Sequence, residues 1–216
     1  MAKVYGSQFS PFTRKVILAL EAKGVDFSIE QVSPAHKPDG FEKLSPLGKI
    51  PAFQSDEVTL ADSTVICEYI EERYSGASLF PNSAALKAKA RWFEEYSDTV
   101  LVTVTGPIFF ELVVKGMLGL GEPDQERIEK VLREEMPKVY GYLDSQVGQS
   151  GYLVGDALSM ADISIGALMV SVYSIGYTVD ATCWPNYAAY VEGLLASPLF
   201  QNRIASDKAL MVNMKG

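Results

Sequence analysis

Residues 1–24 read MAKVYGSQFSPFTRKVILALEAKG and residues 49–63 read KIPAFQSDEVTLADS. In the first stretch Lys3 to Ser7 suits a short strand, and Ser10-Pro11 suits a helix start, a capping hydroxyl followed by proline in the first turn. Val16, Ile17 and Leu20 recur at helical spacing and Gly24 supplies the stop. In the second stretch two short strands, Ile50 to Gln54 and Val58 to Leu60, flank the turn-forming Ser55-Asp56-Glu57. Ser63 then opens an amphipathic helix on which Val65, Ile66, Tyr69 and Ile70 share a face opposite Glu68, Glu71, Glu72 and Arg73. Between the two lie a strand over Asp26 to Val32 and a polar, proline-bearing stretch from Ser33 to Gly48 with one short helix near Asp39 to Leu44. The predicted order is βαβαββα.

Beyond Tyr74 the composition shifts. SGASLFPNSAA reads as a linker, and the rest reads as helices: Lys87 to about Val104, Ile108 to Leu118 after a Gly106-Pro107 break, and Asp124 to Val147. Ser159 and Asp162 stand at capping-box spacing before a long apolar helix, a structural feature worth about 1 kcal/mol. The expected division is therefore a small α/β domain over 1–80, a linker over 81–86 and an all-helical domain over 87–216.

Hydrophobic residues make up 48% of the 216 and charged ones 21%, a mix that buries a core. The 27 acidic against 19 basic residues give a formal charge of −8 with no basic cluster, so nucleic acid is not an expected partner. The start lacks the layout of a secretion signal, and the apolar run LVTVTGPIFFELVV is broken by Gly-Pro and an acid, so a cytoplasmic chain with no membrane span is expected. Cys67 and Cys183 sit among apolar neighbours in regions read as helical and are expected to be buried structural thiols. With a single histidine, His36, and no paired cysteines, no metal site is expected.

Four separated motifs, SPFTRKVILALEAKG from Ser10, Lys49-Ile50-Pro51-Ala52, Ala61-Asp62-Ser63 and the Gly151 to Gly166 segment, resemble in their order the cytosolic glutathione transferase family, in its serine-type, phi- or tau-like or bacterial members. The resemblance covers nearly the whole chain. It implies a thioredoxin-like N-terminal domain that binds glutathione as co-substrate, with no other cofactor, and an all-helical C-terminal domain that takes a small apolar electrophile. It implies a homodimer, in which Asp98 reaches the partner's γ-glutamyl ammonium.

The resemblance gives each site residue a role that its chemistry can fill. Ser10 donates a hydrogen bond to the glutathione sulfur, because a thiol with a pKa near ~8.5 needs help to ionise at neutral pH; Ser7 is the rival hydroxyl. Pro51 is expected in cis, exposing the Ile50 backbone to the cysteinyl backbone of glutathione. Asp62 accepts from the γ-glutamyl ammonium and Ser63 donates to its carboxylate. His36, Lys37 and Lys49 meet the glycine carboxylate. Phe12, Ile108, Phe109 and Tyr173 are candidates for the apolar wall of the second substrate. A cysteine-based disulfide exchange is disfavoured, since none precedes Cys67. Peroxide reduction is a possible second activity. A glutathione-binding member without turnover and a dedicated isomerase or dehalogenase are the alternatives.

Overall fold

The computed structural model describes residues 1–33 and 37–213, which fall into two compact units, Met1–Phe80 and Pro81–Gly216. In the first, β1 (Ala2–Gly6), α1 (Pro11–Ala22), β2 (Phe27–Gln31), β3 (Ala52–Gln54), β4 (Thr59–Ala61) and α2 (Ser63–Arg73) follow in chain order. The strands form one sheet in the order β2-β1-β3-β4, with β1 and β2 parallel and both other pairings antiparallel. The short helix expected near 39–44 is a single 3-10 turn, Phe41–Lys43, after Gly40 in the left-handed region.

Ser10 caps α1, its Oγ accepting from the Thr13 N–H at 3.3 Å, and Pro11 occupies the first turn. The helix buries Val16, Ile17, Leu18, Ala19 and Leu20. Gly6 lets the end of β1 approach α1: a Cβ there would sit 2.9 Å from Thr13 Cγ2. On α2, Ile66, Cys67 and Ile70 are buried, whereas Val65, expected on the same face, is half exposed at 50%. Lys23 and Glu71 join the far ends of α1 and α2 in an ion pair at 2.7 Å, with Lys23 nearly sealed.

The second unit is helical throughout: α3 (Ala84–Met117), α4 (125–146), α5 (Met160–Ser174), α6 (Pro185–Leu195) and α7 (Pro198–Asn213). The helix α3 starts at Ala84, three residues ahead of Lys87, and does not break at Gly106-Pro107. It passes Pro107 between two π-turns, Ser97–Leu101 and Phe110–Val114. A proline inside a helix costs about 3 kcal/mol; burial of Leu101, Val104, Ile108 and Phe109 offsets it. Length and composition alone would let this 34-residue helix cross a membrane. That overturns the Gly-Pro argument against a span, although the same buried residues pack it against α5 inside the unit. A third π-turn, Val131–Glu135, brings α4 to Pro137 without interruption.

Nearly every residue of α5 is buried. Gly166 admits the fully buried Phe200 of α7: a Cβ there would lie 2.6 Å from Phe200 Cζ. Gly166→Ala is therefore expected to cost about 1–3 kcal/mol through overpacking, read as a lower urea midpoint with an unchanged slope.

Cys67 is buried as expected, but Cys183 is exposed. It sits in a turn, not a helix, because Asp180 accepts from the Thr182 N–H and hydroxyl at 2.8 and 2.7 Å and its carbonyl accepts from the Cys183 N–H.

Candidate functional site in the N-terminal unit

The register of the sheet gathers the candidate residues at one edge. Gly6 at the end of β1 pairs with Gln31 at the end of the parallel β2. Tyr5 pairs with Ala52 at the start of β3, and Ala52 pairs with Ala61 at the end of β4. The loop carrying Ser7 and Ser10, the Ile50-Pro51 turn and Asp62-Ser63 thus leave the sheet on the same side.

Ser10 is half-buried at the N-terminus of a 12-residue helix. Its Oγ accepts from Thr13, and its hydroxyl proton has no acceptor among the described residues. Ser7 Oγ likewise accepts, from the Phe9 N–H at 3.3 Å, but stands before the cap. The helix's positive end favours an anion beside Ser10 by about 0.3–1 kcal/mol. Arg14, buried on α1, donates from Nη2 to the Gln8 carbonyl at 3.0 Å and so fixes the loop that presents Ser10.

The Ile50-Pro51 peptide is cis. Ile50 lies outside the β3 ladder, and its N–H and C=O make no backbone bond among the described residues. Its side chain packs with Leu44 and Tyr5 against Val32, Phe41 and Ala52, which leaves the main chain as its free feature.

At the end of β4, Asp62 has φ 80° and ψ 124°, the one positive φ outside glycine among the described residues. Such a conformation costs about 1–3 kcal/mol. Asp62, not Ser63, is the N-cap of α2: its Oδ1 accepts from Thr64 and Val65 N–H at 2.9 and 3.2 Å. Ser63 is displaced into the first turn, where neither its N–H nor its hydroxyl has a partner among the described residues. Behind it Lys15, which the sequence reading passed over, is buried and donates from Nζ to Thr64 Oγ1 at 3.0 Å. A lysine inside the apolar run of α1 was the available signal.

Lys37 and Lys49 are exposed. The Lys37 ammonium folds over Gly48, the residue before Lys49, 3.1 Å from where a Cβ would be. His36 lies outside the described residues. Phe12 is half-buried in the first turn of α1.

In the helical unit Ile108 is fully buried and Phe109 nearly so, both in the core. Tyr173 is half-buried and its hydroxyl accepts from the Val179 N–H at 3.3 Å. The wide cavity, about 900 Å³, is lined instead by the next turns of α3, Leu112, Val113, Gly116 and Met117, together with Ser174 and Lys208. The buried Ser174 hydroxyl has no partner among the described residues. Treating Gly-Pro as a break concealed that these turns continue the same helix. No three His, Cys, Asp or Glu side chains converge as a metal site among the described residues.

Family profiles for "Glutathione S-transferase, N-terminal domain" and "Glutathione S-transferase, C-terminal domain" match residues 4–78 and 112–204. Glutathione S-transferase 3 of Zea mays is 32% identical over 211 residues, covering 94% of this chain and 93% of its own length. Glutathione transferase F7 of Populus trichocarpa superposes with a TM-score of 0.82 at 27% identity, covering 96% of this chain and 99% of its own. Glutathione S-transferase I from mais, solved in complex with an atrazine glutathione conjugate, superposes with a TM-score of 0.82 at 26% identity, over 94% of this chain and 96% of its own. With this likeness running the length of both units, and with the sheet edge arranged as described, the chain belongs to the glutathione S-transferase family.

Proposed function

We propose that the protein transfers glutathione to apolar electrophiles, with the Ser10 hydroxyl donating a hydrogen bond to the sulfur and so holding it as thiolate. The observation that carries this is a capping serine whose proton is unused, at the positive end of α1. Ser10 forms no covalent bond. It lowers the thiol pKa, and the thiolate is the nucleophile.

The other residues divide the tripeptide between them. The free Ile50 N–H and C=O pair with the cysteinyl backbone as an added strand would. The unpartnered Ser63 N–H and hydroxyl take the γ-glutamyl carboxylate, and Asp62 takes the ammonium through Oδ2, since Oδ1 is committed to the cap. Lys37 and Lys49, with His36, meet the glycine carboxylate. The N-terminal unit binds glutathione and the helical unit the electrophile, in the 900 Å³ cavity. A relative crystallised with an atrazine glutathione conjugate supports an aromatic electrophile class. The same thiolate would reduce organic peroxides. By the family resemblance we place the protein in the cytoplasm as a homodimer in which Asp98 approaches the partner's glutathione.

Conjugation of glutathione to 1-chloro-2,4-dinitrobenzene tests the reading. Ser10→Ala is expected to lower kcat/KM by on the order of 10²-fold, the effect of removing one donor to a developing or resting anion. Ser7→Ala should leave it within about twofold. Equal rates for wild type and Ser10→Ala would remove Ser10 from the chemistry.

A further inference from the structure

The wide cavity of the helical unit has room for much more than one arene ring. A void of about 150 Å³ accommodates benzene, whereas this one is about 900 Å³. Apolar residues from three elements line it: Leu112, Val113 and Met117 of α3, Ile175 just past α5, and Met211 and Val212 of α7. Leu112, Met117 and Val212 stay exposed, as do Leu118 and Leu120 in the chain that follows α3. Apolar surface left in water around a cavity of this size fits an occupant with a long apolar body.

One charge stands in this wall. Among its described residues only Lys208, an exposed residue of α7, is ionised. Its ammonium has no hydrogen bond or ion pair among the described residues. The groups that would ordinarily claim it are spent or buried. Glu111, which precedes the lining turns of α3, is held by Lys115 at 2.7 Å and by the Asp124 N–H at 2.8 Å. Asp207 is buried. The last carbonyls of α3 accept from the Gly119 and Leu120 N–H groups at 3.1 and 3.0 Å, and those of α5 from Gly176 and Tyr177 at 3.1 and 3.0 Å. The partial negative charge of these helix ends is smaller than the full positive charge of the ammonium.

We infer that the electrophile of this protein is an elongated apolar molecule with a carboxylate or other anion at the end remote from its reacting carbon, and that Lys208 selects it through that anion. The inference rests on the reading of this cavity as the electrophile site. At the reacting carbon the glutathione sulfur forms its bond as the leaving group departs with the bonding pair, and Lys208 takes no part in that step.

The test compares 6-(4-chloro-3-nitrobenzamido)hexanoate with the corresponding neutral primary amide, which share one activated ring and differ only at the far end. In low salt the wild type should favour the acid about 5-fold in kcat/KM, the upper end of what an exposed ion pair contributes. Lys208→Met should bring that ratio to about one and Lys208→Glu should invert it. Salt at about 0.5 M should shrink the wild-type preference. Ser10→Ala should slow both compounds alike and keep the ratio. The two glutathione conjugates, prepared chemically and titrated calorimetrically, should bind wild type and the Lys208 variants with the same ratios. That arm needs no turnover, so Lys208-dependent binding without turnover would sink the transferase reading and leave the selection by Lys208 standing. Equal rates and equal binding of acid and amide, or a preference for the acid that survives Lys208→Glu, would overturn the inference.

Discussion

Asp162→Ala is expected to destabilise the helical unit by about 4 kcal/mol or more, close to unfolding a protein whose whole stability is about 5–15 kcal/mol. The carboxylate is fully buried and gathers four donors: Leu153 N–H at 2.9 Å, Ser159 N–H at 2.8 Å, Ser159 Oγ at 3.0 Å and Tyr190 OH at 2.8 Å. Truncation strands them in a dry core at about 1–3 kcal/mol for each buried orphan. Burial pushes this carboxyl up against the pull of those donors. Asp162→Asn keeps the shape but turns an amide toward at least one N–H, so an intermediate loss of about 1–3 kcal/mol is expected. Urea denaturation followed by far-UV circular dichroism measures both. The capping box by itself, at about 1 kcal/mol, would not produce this; the two additional donors from Leu153 and Tyr190 do.

Glu71→Ala should cost the N-terminal unit about 3 kcal/mol, the low end of the usual result of removing one partner of a buried pair, because Lys23 is buried but Glu71 is itself partly exposed. Glu71 accepts from Lys23 Nζ at 2.7 Å, Ser78 Oγ at 2.7 Å and Leu79 N–H at 3.0 Å, and so ties α1 and α2 to the chain leaving the unit. Without it Lys23, with 3% of its side chain exposed, keeps only the Ala77 carbonyl at 3.2 Å among the described residues. Lys23→Met/Glu71→Leu should recover most of the loss, because an apolar pair leaves no stranded charge.

The pH dependence has a fixed sign. Burial pushes the Glu71 carboxyl up, but the hydrogen bonds from Lys23, Leu79 and Ser78 and the Lys23 charge outweigh it and hold the group below its ordinary value. Its contribution is therefore complete above the unfolded pKa near ~4.3 and is lost as pH falls through the lower folded value. Glu71→Gln should flatten that acid limb of stability.

Both hubs show what was legible in the sequence and what was not. Ser10-Pro11, the alternating short strands and the Ser159/Asp162 spacing are local signals, and the elements they mark are present. Leu153 and Tyr190, which complete the Asp162 site, lie 9 and 28 residues away with no pattern linking them. Pro107 misled for the opposite reason: a strong local rule was overridden by burial of Leu101, Val104 and Ile108 on the same helix. At the candidate site the motifs mark Ser10, Ile50, Asp62 and Ser63 as local signals, and the register of the sheet brings their loops to one side. The exchange of capping duty from Ser63 to Asp62 depends on a backbone φ of 80° that composition does not encode. The buried Lys15 and Arg14 escaped because a cation on an amphipathic helix is ordinarily solvated.

The most direct test of the central claim is the ionisation of glutathione while bound, followed as thiolate absorbance against pH. In wild type and in Ser7→Ala the bound thiol should titrate at least about one unit below the ordinary ~8.5 of a free thiol, and in Ser10→Ala it should return by about one unit toward that value. Identical titration in wild type and Ser10→Ala, or a shift that follows Ser7 instead, would contradict the account.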